Sequence, residues 1–146
     1  MRSLLLSLLT LFGCTAMSNP DNNDPITIHF KTEVFAPVSA EDSTSLQPDT
    51  IIDYHVRVGQ VITIIGKEHA SVGSSFRAEY DQEAFEHKDQ STYDNPVKVR
   101  MGACGGDRLT RTITLRPLRT GCYPLVLKGN WRGEITNVAR YNFIVE

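Results

Sequence analysis

The sequence predicts an all-β fold, a sandwich of short strands, and three observations support this prediction. Short segments alternate apolar and polar residues and are enriched in β-branched side chains. Turns rich in Gly, Asn and Pro separate these segments, and no long segment of the predicted domain has the 3.6-residue periodicity of an amphipathic helix. Alternation bounded by turn residues is typical of half-buried strands. Several such strands without long helices are typical of a sandwich.

The N-terminus has the pattern of a secretory signal peptide. Arg2 precedes an almost wholly apolar run over residues 4–12, which is shorter than the roughly 20 residues of a membrane-spanning helix. A buried N-terminal helix is the alternative. Leu11-Phe12-Gly13-Cys14 resembles a bacterial lipobox, which predicts cleavage before Cys14 and lipidation of that cysteine. An ordinary cleavage after Ser18 is the other possibility. We therefore expect an exported protein of the bacterial envelope, lipid-anchored to the membrane or periplasmic.

The three cysteines of the chain are Cys14, Cys104 and Cys122. If Cys14 carries the lipid, Cys104 and Cys122 remain as a pair in an oxidising compartment, which predicts a disulfide bond between them. Such a bridge would close a short loop and stabilise the fold by about 3 kcal/mol. Two free thiols are the alternative.

We divide the chain into a signal peptide over residues 1–18, a tether with an N-terminal strand and a loop over 19–50, and a sandwich domain over 51–146. Gly59 and Gln60 interrupt one alternating segment and predict a turn or a bulge between two strands. Residues 81–87 are expected to form a short helix or a turn, and strand signals return from Val97. Strands are predicted over residues 26–30, 54–65, 76–80, 109–115, 123–127 and 138–145.

A corner near residue 121 makes the predicted sandwich more specific. Gly121-Cys122-Tyr123 follows one predicted strand and opens the next. This arrangement resembles the tyrosine corner of immunoglobulin-like domains, in which the phenol hydroxyl bonds to upstream backbone. The alternative is a core tyrosine at an ordinary hairpin. The corner favours an immunoglobulin-like β-sandwich.

The composition argues against several classes of function. A net charge of -2 gives no basic surface for nucleic acid. The four histidines lack the spacing to one another or to cysteine that zinc sites require, so we expect no metal and no other cofactor. The sequence contains neither a Gly-x-Ser-x-Gly elbow nor a phosphate-binding loop. A binding protein is therefore expected rather than an enzyme.

Three glycine-containing loops are predicted over residues 66–75, 101–107 and 128–134. Loops that join alternate strands of a sandwich can cluster at one end and form a binding surface. The third loop holds the single Trp of the chain beside an Arg, and these residue types are frequent interface hot spots. The alternative is that this Trp packs over the sheet edge. The candidate contact residues are Ser71, Val72, Gly73, Ser74, Gly102, Gly105, Gly106, Asn130, Trp131 and Arg132.

Residues 53–146 resemble the chagasin family, inhibitors of papain-like cysteine peptidases. Val56-Arg57-Val58-Gly59-Gln60 resembles the strand that enters the family's first loop, and Met101-Gly102-Ala103-Cys104-Gly105-Gly106 resembles its Gly-rich loop. Asn130-Trp131 stands where the family has an Arg-Pro-Trp motif. In the family's Asn-Pro-Thr-Thr-Gly-Tyr loop, Gly73 aligns with the Gly and Ser71 is the one conservative replacement.

The resemblance implies an immunoglobulin-like fold with three loops at one end and a papain-like cysteine peptidase as the partner. Val72 and Gly73 would enter the catalytic cleft as backbone. Trp131 would stack on the far side of the cleft, and the loop with Gly105 and Gly106 would contact the opposite wall. A second hypothesis is an envelope lipoprotein that uses the same sandwich for a non-inhibitory binding or assembly role.

Overall fold

The computed structural model describes residues 24–32, 50–102 and 107–146. Strands make up most of this part of the chain, together with a one-turn 3₁₀ helix and one short α-helix. The strands are β1 (Ile26–Phe30), β2 (Ile51–Val56), β3 (Ile62–His69), β4 (Ser74–Glu79), β5 (Phe85–Tyr93), β6 (Arg108–Pro117), β7 (Gly121–Trp131) and β8 (Glu134–Val145). The 3₁₀ helix is Ala70–Val72, and α1 is Pro96–Arg100.

The strands form two layers that meet along one seam. Hydrogen bonds connect them in the order β2-β8-β7-β4-β3-β6-β5, and β1 pairs with β3 in parallel. Strands β3 and β4 pair only at His69 and Ser74. The path therefore divides there into a layer of β2, β8, β7 and β4 and a layer of β1, β3, β6 and β5, which is the predicted sandwich.

The core lies between these two layers. Ile62, Ile64 and Leu115 of one layer are completely buried, as are Leu127 and Phe143 of the other. Ring contacts also cross from layer to layer: the centroids of Phe30 and Phe76 lie 5.7 Å apart, and those of Phe85 and Phe143 lie 6.2 Å apart. The buried residues of β3, β6, β7 and β8 fall at alternate positions, so the predicted alternation is confirmed for these strands.

The predicted tyrosine corner is also confirmed. The Tyr123 hydroxyl donates a hydrogen bond to the carbonyl oxygen of Thr120 at 3.0 Å. Gly121 has φ 148°, and a Cβ atom there would lie 2.8 Å from the Tyr123 hydroxyl. A side chain at position 121 would therefore displace the phenol that closes the corner.

Two elements differ from the prediction. A helix or a turn was expected over residues 81–87. Residues 81–84 form a turn, and β5 begins at Phe85. Phe85 is the one buried residue of β5, so the strand shows no alternation and depends on its pairing with β6.

Val97, where strand signals return in the sequence, lies in α1 instead. The Asn95 side chain accepts a hydrogen bond from the Lys98 amide and caps this helix.

The predicted disulfide is not formed: Cys122 is exposed and its thiol is free. The geometry of β6 explains why. Cys122 lies at the start of β7, just beyond the C-terminal end of β6, whereas Cys104 precedes the N-terminal end of β6. The ten residues of β6 separate these ends by about 30 Å, and the four residues from Cys104 to Arg108 span at most about 14 Å. Bonded cysteines need Cα atoms within about 7 Å.

Several predictions concern residues outside the described ranges. They include the signal peptide and lipidation at Cys14, the loop before β2, and the positions of Cys104, Gly105 and Gly106.

The predicted N-terminal strand is described and confirmed as β1, and its Ile28 and Phe30 join the core, so the sandwich includes this strand. In the parts of the chain that the structure describes, none of the helices has the length and apolar character needed to cross a bilayer.

Candidate functional site

Three connections between strands lie side by side at one end of the sandwich. Cross-strand pairs at this end join Arg108 to His69, His69 to Ser74, and Ser74 to Trp131. The connections that leave these strand ends are loop 1 (residues 70–73), loop 2 (residues 94–107) and loop 3 (residues 131–134). We call this end the loop pole. It brings together the described parts of the three predicted loops.

Loop 1 is shorter than the sequence predicted, because β3 continues to His69 and β4 begins at Ser74. The 3₁₀ turn closes with a hydrogen bond from the Gly73 amide to the carbonyl oxygen of Ala70 at 3.0 Å. Gly73 has φ 71°, which glycine adopts without strain. Gly73 and Ser71 are exposed and Val72 is half-buried, whereas Ser74 is buried within β4 and does not reach the surface.

One carboxylate joins loop 2 to loop 1. Asp107 Oδ2 accepts a hydrogen bond from the Ser71 amide, and Asp107 Oδ1 lies 3.0 Å from His69 Nε2. Hydrogen bonding from Ser71 lowers the pKa of Asp107 below its usual value. Asp107 is therefore ionised at neutral pH and keeps the acceptor that positions loop 1. It was not among the predicted contact residues.

Ser71, His69 and Asp107 bring a hydroxyl, an imidazole and a carboxylate together, but not as a catalytic triad. Ser71 Oγ lies 3.3 Å from His69 Nε2, the same nitrogen that contacts Asp107. A triad places the serine and the carboxylate on opposite ring nitrogens. His69 Nδ1 is buried and has no hydrogen-bond partner among the described residues. The arrangement supports loop 1 and does not activate Ser71 as a nucleophile.

A tight hairpin turn forms loop 3 and contacts loop 1. Arg132 and Gly133 have φ 52° and 92°, the positive values of a two-residue type I′ turn. The Arg132 amide donates a hydrogen bond to the Gly73 carbonyl oxygen at 2.9 Å. β7 extends to Trp131, so the loop predicted over residues 128–134 is largely strand. Asn130 acts within the turn, because its side-chain oxygen accepts from the Gly133 amide at 2.8 Å.

Trp131 is the largest side chain that loop 3 presents to solvent. Its side chain is exposed, and the Arg132 guanidinium lies 4.8 Å from the ring centroid. This cation–π contact holds the two side chains together on the surface. The structure thus places Trp131 away from the core, in a position where a partner could bury it.

Loop 2 is attached to the sheet at its start. Lys67 Nζ lies 3.0 Å from both carboxylate oxygens of Asp94, and the Thr110 hydroxyl donates to Asp94 Oδ1 at 2.7 Å. Hydrogen bonds from Thr110 and Lys67 lower the pKa of Asp94 below its usual value. After α1, Gly102 is exposed and has φ 64°. Gly105 and Gly106 lie outside the described residues.

The loop pole also carries exposed apolar side chains that were not among the predicted contact residues. Of the ten large hydrophobic residues that are exposed in the described part of the chain, six lie at or next to this pole, and Trp131 is the one of them that the sequence indicated. They are Tyr93, Val97, Val99, Met101, Trp131 and Ile135. Clustered exposed apolar residues are characteristic of protein interaction sites. The pole is therefore suited to bind another protein.

The described residues contain no group of three or more His, Cys, Asp and Glu side chains that could hold a metal ion. Besides the engaged carboxylates of Asp94 and Asp107, the described part of the pole presents backbone groups, exposed apolar side chains, a few cations and the exposed carboxylate of Glu134.

Comparisons with known proteins support the fold. No protein-family model matches the sequence, and a search of curated proteins finds no match. The structure is similar to the crystal structure of EhICP2, a cysteine protease inhibitor from Entamoeba histolytica. The TM-score is 0.55 at 15% identity, over 84% of this chain and 97% of that chain.

Two further solved structures are similar at lower TM-scores. The solution structure of amebosin has a TM-score of 0.49 at 15% identity, over 84% of this chain and 99% of the other. The structure of PbICP-C in complex with falcipain-2 has a TM-score of 0.44 at 15% identity, over 82% and 99%. The likeness to EhICP2 confirms, at the level of the fold, the immunoglobulin-like sandwich that the chagasin resemblance implied.

Proposed function

We propose that this chain is an exported inhibitor of papain-like cysteine peptidases and that its loop pole blocks their active-site cleft. The observation that carries the proposal is the junction of loop 1 with loops 2 and 3, through Asp107 on one side and Arg132 on the other. EhICP2, which has the same fold, is a cysteine protease inhibitor. An inhibitor of this kind would act by occupying the cleft and would need no catalytic residues of its own.

Loop 1 is the segment that enters the cleft in this proposal. Val72 and Gly73 would approach the catalytic cysteine as backbone and present no productively bound scissile bond. Trp131 would stack on one side of the cleft and loop 2 would contact the other wall. Hydrogen bonds already fix loop 1 on both sides, so little conformational entropy is lost on binding. An interface of this kind typically buries about 800 Å² on each partner.

The N-terminal segment enters the sandwich at an end that is compatible with a membrane anchor. Ile26 at the start of β1 pairs with Ile62, and Gln60 Nε2 donates to the Asp24 carbonyl oxygen at 2.9 Å. This is the end of the sandwich opposite the loop pole. A lipid on Cys14 would therefore hold the domain by its far end and leave the three loops accessible. Mass spectrometry of the mature N-terminus tests this part: a diacylated Cys14 supports it, and an unmodified start at Asn19 refutes lipidation.

Inhibition of papain by the purified protein tests the main proposal. We expect tight inhibition that is competitive with a peptide substrate and that fails against a serine peptidase of similar substrate preference. Absence of inhibition toward every papain-like peptidase tested at micromolar concentration would contradict the proposal. In that case, reproducible capture of a different envelope protein by the loop pole would support the non-inhibitory binding role.

A further inference from the structure

The packing of the domain does not explain the composition of helix α1. Its five residues include none that is buried. Val97 is 60% exposed and Val99 is 37% exposed, and Met101, directly after the helix, is 76% exposed. A helix that only connects β5 to β6 gains nothing from presenting three apolar side chains to solvent. The apolar surface of α1 is therefore available to a partner.

Two cations are interleaved with these apolar residues, and the pole carries a third in loop 3. Lys98 and Arg100 lie within α1, and Arg132 lies on the other side of loop 1. None of the three forms a salt bridge within residues 24–32, 50–102 and 107–146. The acidic residues of loop 2, Asp94 and Asp107, are in contrast engaged by groups of β3 and loop 1. Glu134 of loop 3 is also exposed and forms no salt bridge among the described residues, so the three cations leave the outward-facing charges of the pole net positive.

The position of α1 is fixed rather than left to a loose loop. The Asn95 cap starts the helix, and the Asp94 contacts with Lys67 and Thr110 attach the preceding residue to the sheet. The Met101 amide donates to the carbonyl oxygen of Val97 at 3.1 Å and closes the helix. A fixed element presents its charges in one orientation, which electrostatic recognition requires.

From these observations we infer that α1 determines which peptidases the chain binds. It docks on a wall of the peptidase beside the active-site cleft, and this wall is apolar and carries acidic residues. This inference rests on the proposed inhibitory function and adds the chemistry of the partner. Lys98 and Arg100 speed association with that acidic wall, and Val97 and Met101 slow dissociation. The net charge of the chain is -2, so its attraction to an acidic surface depends on the local charge at this pole.

The test uses papain-like peptidases that differ in the charge beside their cleft, with association and dissociation rates measured at low and high salt. For an acidic member, we expect the association rate to fall about tenfold between about 50 mM and about 500 mM NaCl. The double substitution Lys98→Gln with Arg100→Gln should lower the low-salt association rate roughly three- to tenfold and leave the dissociation rate within about twofold. Val97→Ser with Met101→Ser should instead raise the dissociation rate several-fold.

A matched control removes two positive charges away from the loop pole. Lys88→Gln with Arg119→Gln makes the same change in net charge on β5 and at the opposite end of the sandwich, and should leave both rates unchanged. If the α1 charge variant behaves like this control while inhibition persists, the inference about α1 is wrong and the proposed function stands. If the unsubstituted chain inhibits no peptidase of the panel, the proposed function fails and the inference fails with it.

Discussion

Replacement of Trp131 by alanine tests the contribution of loop 3 to inhibition. Trp131 ends β7, and its ring contacts the Arg132 guanidinium on the surface of the domain. It takes no part in the core between the two layers. The substitution therefore removes a large exposed ring and leaves the hydrogen-bonded hairpin turn in place.

The size of the effect follows from the exposed area of this side chain. Trp131 is 42% exposed, and with a total of about 250 Å² for a tryptophan, about 100 Å² is available to a partner. At about 25 cal/mol per Å², complete burial of that area stabilises the complex by about 2.5 kcal/mol. This free energy corresponds to an increase of about 70-fold in the inhibition constant of Trp131→Ala. The free energy of unfolding should fall by less than about 1 kcal/mol, because the lost contacts lie at the surface.

The assay is a titration of papain, or of the most strongly inhibited peptidase, with the unsubstituted protein and the variant. A denaturant titration of each protein measures folding separately. Leu118→Ala serves as the matched control, since Leu118 is similarly exposed but lies in the turn between β6 and β7 at the opposite end. If Trp131→Ala changes the inhibition constant by less than about threefold while Leu118→Ala leaves it unchanged, Trp131 is not a major contact and the reasoning fails.

Three further substitutions have definite expected outcomes. Gly73→Ala should lower the free energy of unfolding by about 1 kcal/mol and weaken inhibition, because φ is 71° and the new Cβ would lie 3.3 Å from Arg132 Cγ; unchanged inhibition would mean that loop 1 tolerates displacement. Asp89→Asn should reduce the acid sensitivity of folding. Hydrogen bonding from Arg111 lowers the pKa of Asp89 below 3.8, so its stabilisation is complete above about pH 5 and is lost as the pH falls through the lowered folded-state pKa. Equal slopes of stability against pH for both proteins would exclude this role. Tyr123→Phe removes one hydrogen bond at the tyrosine corner and should cost about 1 kcal/mol of stability without a change in inhibition; weaker inhibition would show that the corner influences the distant loop pole.

The sandwich could be predicted because its core follows a local rule. Residues such as Ile62, Ile64 and Leu115 are buried at alternate positions, and alternation in sequence is a direct consequence of strand geometry. Gly121 and Tyr123 identify the corner for a similar reason, since the hydrogen bond runs only three residues back along the chain. Features that depend on short separations along the chain can be recognised from the order of the amino acids alone.

β5 and α1 were missed because their determinants are not local. β5 buries Phe85 alone and is a strand because β6 lies beside it. A return of strand signals was predicted from Val97, and Val97, Val99 and Met101, in α1 and directly after it, do alternate with cations as in a strand. That alternation does not arise from a core, because none of these residues is buried. Asn95 and Pro96 were the available signals of a helix start.

Asp107 shows why the site itself was only partly predictable. The contacts that give it a role reach His69 and Ser71, which lie 38 and 36 residues earlier in the chain. Nothing near Asp107 in sequence indicates that its carboxylate will meet a backbone amide of another loop. The glycines and Trp131 could be proposed from residue type alone, whereas the group that joins the loops required the topology.

The divergence of loop 1 from the chagasin motif has a structural interpretation. The contacts that connect loop 1 to its neighbours use main-chain groups: the Ser71 amide binds Asp107, and the Gly73 carbonyl oxygen binds the Arg132 amide. Main-chain contacts place few demands on the side chains of the loop, so its composition can change while its position is kept. If the proposed function is correct, loop 1 contributes mainly backbone to the cleft. Selectivity among peptidases should then reside in the side chains of loops 2 and 3, and substitutions in α1 should change the preferred peptidase more than substitutions at Ser71.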